Sequence, residues 1–168
     1  MSVGAHREIN LQRFVVDHLT SHGWLSSKGN EGYDKERALF VPDLLGWLEE
    51  TDPENYHRIV PKDGPEAAVI KGQKRILDRV AKQLGVEEKH GGGTLNVLRH
   101  GVDVVGAKKF SLLQMPPAND KNPRLITRYE YNRLRVVEEL VYSTRHGNRL
   151  DLTFFVNGIP VATAEIKT

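Results

Sequence analysis

Leu150 to Thr168 reads LDLTFFVNGIPVATAEIKT. Two apolar runs meet at Asn157-Gly158, a dipeptide that favours the two-residue turn of a β-hairpin because both residues accept positive φ. Asp151, Glu165 and Lys167 stand inside those runs. Charge among apolar strand residues is costly unless it is paired or bound to a metal. The stretch therefore predicts an antiparallel strand pair and raises the question of what three charged side chains do on it.

Strand geometry restricts the answer. Glu165 and Lys167 are two residues apart and share a face of a strand. An unbulged two-residue turn pairs Val156 with Ile159, and hence Asp151 with Ala164, which leaves Glu165 on the face opposite the aspartate. A three-residue loop or a β-bulge brings Asp151 to the side of Glu165 and Lys167. One of the two is expected. So grouped, the residues suit metal-dependent hydrolysis of a phosphodiester. Carboxylate oxygens are the side-chain ligands that hard divalent cations prefer, and such a cation offsets phosphate charge and lowers the pKa of a bound water. A lysine beside them can orient or deprotonate that water. The competing reading is an Asp-Lys or Glu-Lys pair at a sheet edge, where charge discourages edge-to-edge aggregation.

Upstream, RYEYNRLRVVEELVYS has Val136, Val137, Leu140 and Val141 at helical spacing, but its β-branched and aromatic content favours a strand from about Leu134. Gly147-Asn148 then turns the chain into LDLTFFV, so the end of the sequence predicts a three-stranded meander. A further strand is expected around Lys109 to Met115, with PPANDKNPR as loop and Gly91 to Gly93 as a flexible connection. Residues 66–84 predict a helix with Val69, Ile70, Gln73, Ile76, Leu77, Val80 and Leu84 on one side and Gly85 as its C-cap. Lys71, Lys74, Arg75 and Lys82 take the other side, either as a solvated face or as a surface that follows a phosphate backbone. Pro42 and Asp52-Pro53 mark short helix starts.

Residues 6–22 predict an amphipathic helix through Leu11, Phe14, Val15 and Leu19, ended by Gly23. Glu8 projects onto its apolar stripe, either as a first-turn carboxylate favoured by the helix dipole or as a residue with a chemical role. The expected organisation is one α+β domain over 1–168, mainly helical over 1–90 and with a sheet and the charged hairpin over 94–168.

The totals agree with a globular chain: 168 residues, 39% hydrophobic, 27% charged, and 24 Lys plus Arg against 22 acids for a net charge of +2. That balance permits a nucleic-acid partner without demanding one. The absence of Cys removes disulfides, thiolate zinc sites and cysteine nucleophiles. No GxxxxGK[ST] motif occurs. His18 and His22 lack the HExxH context of a zinc site, and Ser143 with His146 lacks a nucleophile elbow. No run approaches the roughly 20 apolar residues of a membrane span, so a cytoplasmic protein is expected.

NRLDLTFFVNGIPVATAEIKT, with its Asp, apolar strand, NGxP turn and strand ending in ExK, resembles the hallmark of the N-terminal endonuclease domain of the R (motor and cleavage) subunit of type I restriction enzymes. YNRLRVVEELVYS, LNVLRHGV and Gly23-Trp24 look like stretches of the same family, so the resemblance spans most of the chain. It implies a PD-(D/E)xK, restriction-endonuclease-like fold with a mainly antiparallel mixed sheet flanked by helices. It also implies Mg²⁺ dependence and double-stranded DNA as substrate. Carried over, Asp151 and Glu165 become metal ligands, Lys167 the catalytic lysine, and Glu8 the extra first-helix acid seen in related nucleases. Partners in the family are the methylation and specificity subunits, and ATP acts through a helicase motor. The proline that often precedes the aspartate is Leu150 here, and the Gln usual in the preceding strand is replaced around Glu138-Glu139. The QxxxY motif and closing helix that follow the lysine in the family are not reached before Thr168. The expectation is therefore a fold truncated at its C-terminal end and weakly active or inactive alone. A non-catalytic nuclease-fold module that binds DNA or partner subunits is the alternative.

Overall fold

The computed structural model describes residues 3–167, as two compact units: Met1–Phe40 with Arg133–Thr168, and Val41–Asn132. The first unit carries the hairpin. Its sheet has the order β1-β4-β5-β6, formed by Leu25–Lys28 (β1), Leu134–Val141 (β4), Arg149–Val156 (β5) and Ile159–Ala164 (β6). β4, β5 and β6 form the expected antiparallel meander, while β1 pairs with β4 in parallel and makes the sheet mixed. A two-stranded ribbon of Tyr33–Asp34 (β2) and Leu39–Phe40 (β3) completes the strands.

The strand β5 is apolar on both sides because both of its faces are covered. Leu152 and Val136 pack with Val15, Val16 and Leu19 of the first helix, α1 (Val3–Ser21), and with Trp24, Phe154, Ala164 and Ile166. On the other face Phe155 packs with Val137, Leu140, Phe40 and Tyr33. The Phe154 ring meets Trp24 edge-on at 5.9 Å, and Phe155 lies between Tyr33 and Phe40 at 6.0 and 5.8 Å, offset geometries that aromatic pairs favour. Arg135 stacks over Phe40 at 4.3 Å.

The α1 face that meets the sheet keeps Val15 and Leu19 of the stripe that the apolar spacing suggests but is rotated away from Leu11 and Phe14. It runs through Gln12, Val15, Val16 and Leu19, whereas Leu11 and Phe14 are exposed. At 100° per residue both stripes are possible over so few turns, and the sheet contacts select the one with Val16.

The hairpin has a two-residue turn with Asn157 at φ 48° and Gly158 at φ 79°, both positive as a type I′ turn requires. Asn157 is fully buried, and its side-chain oxygen accepts from Arg133 N at 2.7 Å while its own N–H donates to Arg133 O at 2.8 Å. Short polar Asn tolerates the left-handed conformation better than other L-residues. Gly158 O accepts from Phe40 N at 2.8 Å, fixing the turn to β3.

The second unit holds α2 (Val41–Thr51), α3 (Pro53–Tyr56), α4 (Glu66–Leu84), α5 (Thr94–His100) and α6 (Pro123–Glu130). Asp52 and Pro53 take the cap and first helical positions of α3, although Asp52 makes no side-chain capping bond. α4 ends at Gly85 as its sequence predicts, but its inner face centres on Gly72, Ile76, Leu77 and Val80, and Ile70 is 56% exposed. Gly72 sets this rotation: a Cβ there would lie 2.3 Å from Ile59 O, so only glycine lets the 59–60 backbone lie against the helix. The buried Trp47 donates through Nε1 to Ser111 O at 3.0 Å, and buried Asn55 exchanges two bonds with the Lys108 backbone at 2.9 and 2.7 Å. The strand expected over 109–115 is instead a connection with one β-bridge, Val102 to Phe110. Its apolar residues serve the core of this unit, with Phe110 and Leu112 fully buried.

Gly72→Ala should destabilise the chain by about 1–3 kcal/mol in urea unfolding, the usual cost of overpacking a close backbone contact. Asn157→Ala should cost about 2–3 kcal/mol, because it strands the Arg133 N–H and places a Cβ residue in the left-handed region, with Asn157→Gly in between.

Candidate active site

The ladder between β5 and β6 contains the irregularity that the sequence requires. Val156 pairs with Ile159 and Phe155 with Pro160, but Phe154 pairs with Ala162, so Val161 is an extra residue. Beyond it Thr153 faces Thr163 and Leu152 faces Ala164. Extending that register by one step sets Asp151 opposite Glu165, not opposite Ala164. A bulge beside Pro160 is physically apt: β6 is an edge strand, where a residue without an N–H and an interrupted ladder are both tolerated.

The faces follow. Leu152, Ala164 and Ile166 belong to the cluster against α1, so alternation sends Asp151, Glu165 and Lys167 to the other side of the sheet. Asp151 Oδ2 accepts from Ile166 N at 2.7 Å, joining the half-buried aspartate to the backbone between the glutamate and the lysine. Lys167 Nζ lies 2.9 Å from Glu165 Oε2, with side chains 81% and 60% exposed. The Lys167 ammonium, by hydrogen bond and charge, holds the Glu165 carboxyl below the ordinary glutamate range. Glu165 in turn, followed by Asp151, pushes Lys167 above the ordinary lysine value. Two carboxylates and one ammonium thus share the open end of the hairpin.

Across β5 from this end, the β4 ladder is broken at Glu139, which has φ 54° between the Glu138–Leu152 and Leu140–Leu150 pairs. A left-handed non-glycine residue costs about 1–2 kcal/mol. Its register position is directly opposite Asp151, so backbone strain lies next to the candidate site. Glu139 pairs with Arg149 at 3.5 Å. Its neighbour Glu138 accepts from Gln12 Nε2 of α1 at 3.1 Å, on the α1 side of the sheet. Neither acid is suggested by the hairpin spacing, and what marks their position is their place in a mostly apolar strand. Thr153, one step along β5 from the aspartate on the same face, has a buried Oγ1 without a hydrogen-bond partner among the described residues.

Glu8 is half-buried on α1, one turn before Gln12 and on the same helix side. The structure thus places it on the helix that covers the sheet face opposite to Asp151, Glu165 and Lys167. Lys71, Lys74, Arg75 and Lys82 all lie on α4 in the second unit, where Lys74 is paired with Asp78.

Among the described residues no three acidic, histidine or cysteine side chains gather into a ready metal cage. A two-carboxylate donor set is nonetheless what Mg²⁺ commonly uses, since it keeps several waters and takes further oxygens from substrate phosphate. Asp151 and Glu165 fit that pattern. No described helix is long and apolar enough to cross a membrane.

No curated protein and no solved structure is found to match this chain. A family model described as the Type I restriction enzyme R protein N terminus matches residues 7–168, a span that contains nearly all of α1, the whole sheet, the bulged hairpin and the Glu-x-Lys end. The chain therefore belongs to the family of type I restriction enzyme R protein N-terminal domains.

Proposed function

We propose that the hairpin end is the catalytic centre of a Mg²⁺-dependent endonuclease that cleaves double-stranded DNA, within the R subunit of a cytoplasmic type I restriction complex. The observation that carries this reading is the Val161 bulge, which sets Asp151 opposite Glu165 and on the side of Lys167. An ion pair that only blunts a sheet edge needs no such bulge, because Glu165 and Lys167 already share a face in either register.

Asp151 and Glu165 would hold the cation. Bound there, it would offset charge growing on the phosphate and lower the pKa of a water. Asp151 is preoriented by the Ile166 N–H, which leaves its second oxygen for the ligand role. Lys167 keeps its proton beside Glu165, so its first service is as a positive charge toward phosphate and a donor that orients the attacking water. The methylation and specificity subunits are the partners this reading implies. ATP would act through a motor segment, since the sequence has no phosphate loop of its own.

The second reading, a nuclease-fold module that binds DNA or subunits without cutting, is favoured by the exposure of the Glu165–Lys167 pair, because nothing excludes water from it.

Mg²⁺-dependent nicking of supercoiled plasmid by the R subunit that carries this domain should fall by at least about a hundredfold in Asp151→Ala and in Lys167→Ala. Nicking at the parental rate in both variants removes the catalytic reading. Calorimetry with Mn²⁺ should show binding that disappears in Glu165→Ala. A silent titration of the parent chain with DNA affinity retained favours the binding module instead.

A further inference from the structure

A second cluster of charge lies in the helical unit, on residues with no assigned role in hydrolysis. A cavity of about 300 Å³ beside α4 is lined by Arg75, Asp78, Arg79, Lys82, Val104 and Val105. Arg75, Arg79 and Lys82 recur at spacings of four and three, which is one stripe of the helix. Arg79 joins this stripe although the cationic face read from the sequence omits it.

The two guanidiniums are held in place by backbone. Arg75 Nη2 donates to Val105 O at 2.7 Å and Arg79 Nε donates to Asp103 O at 2.9 Å. Each carbonyl engages one of five N–H donors, and the planar fork leaves others for a ligand. The acids nearby are offset: Asp78 is paired with Lys74 along the helix, and Asp103 lies 3.7 Å from Lys109. The wall therefore carries an excess of fixed positive charge. Val104 is buried, and Val105 is 87% exposed.

This donor set fits an oxyanion with two or more acceptor oxygens, since guanidinium forks match phosphate geometry. The lining has no aromatic ring on which a base could stack, and it carries two valines, which suit a sugar edge. We propose that this cavity docks a backbone phosphodiester of duplex DNA, independently of sequence and of divalent metal. The proposal rests on the reading of DNA as substrate and adds to it a holding site that the hairpin does not supply.

The test is duplex binding by the full chain in EDTA, read by fluorescence anisotropy over a salt series, with every protein carrying Asp151→Ala so that no cleavage intervenes. The double variant Arg75→Glu/Arg79→Glu should weaken binding at least tenfold and flatten the salt dependence by about two counterions. Val105→Glu, at a position too exposed to affect folding, should weaken it at least threefold. Lys62→Glu/Lys71→Glu, the same double charge reversal at exposed positions outside the cavity, should have a smaller effect. Parental affinity in both the Arg75/Arg79 variant and Val105→Glu overturns the proposal, as does a loss in Lys62→Glu/Lys71→Glu equal to that in the Arg75/Arg79 variant. Unchanged duplex affinity with lost binding of inorganic pyrophosphate also overturns it, marking a site for free phosphates. Parental nicking by the R subunit in both Asp151→Ala and Lys167→Ala, with cavity-dependent duplex binding intact, sinks the nuclease reading and leaves this one standing.

Discussion

One extra residue governs the arrangement of everything at the hairpin. With Val161 outside the ladder, Leu152, Ala164 and Ile166 reach the α1 side of the sheet while Asp151, Glu165 and Lys167 reach the other. Without it the apolar packing against α1 and the meeting of the two acids could not both hold, because a one-residue shift inverts every side chain beyond it. The turn supports the bulge from one side. Asn157 and Gly158 fix a tight two-residue connection, so the correction has to come later, along β6, where an edge strand can accept it.

Electrostatics at the strand end depends on that placement. Asp151 is held by a backbone N–H and Glu165 by an ammonium, two different solutions for two neighbouring carboxylates. The backbone donor is fixed by the fold, whereas the lysine is on a long exposed side chain whose contribution salt screens. Of the two acids, the aspartate is the better anchored. Under the proposed metal-binding role, this asymmetry would set which carboxylate exchanges a partner: Glu165 would give up its lysine, while Asp151 would keep the Ile166 bond and offer its remaining oxygen.

Much of this was legible in residue order, and the misses have physical causes. The meander and the limits of α4 could be read because their signals are local: a turn dipeptide, a run of β-branched residues, a glycine after a periodic stretch. The need for a bulge or an odd loop followed from counting residues across the turn, but its position at Val161 did not. β1, with the sequence LSSK, has no apolar pattern and exists through its parallel pairing with β4, a contact between distant segments. α6 begins at Pro123 inside a stretch rich in loop residues, with Asn122 capping through its side chain to Arg124 N. The exposed Ile70, Leu11 and Phe14 show that helical spacing identifies an amphipathic helix before it identifies which stripe is covered. At the candidate site, Asp151, Glu165 and Lys167 were visible by type and spacing, and the resemblance marked Glu138-Glu139 as a departure, whereas the left-handed backbone at Glu139 gave no sign in sequence.

The parallel pairing of β1 with β4 has a consequence for the order of folding. The two strands are separated by about a hundred residues of chain, the whole of the second unit among them. Closing so long a loop carries an entropy cost that the pairing must repay, and topologies dominated by such distant contacts fold slowly. Residues 41–132 form a unit continuous in sequence and can gain their contacts early, whereas the sheet waits for its two ends to meet. During synthesis, α1 and β1 emerge ahead of residues 41–132 and remain without their partner strands until residues 134–164 follow. The carboxylates and the lysine are thus brought together only by the strands that close the sheet.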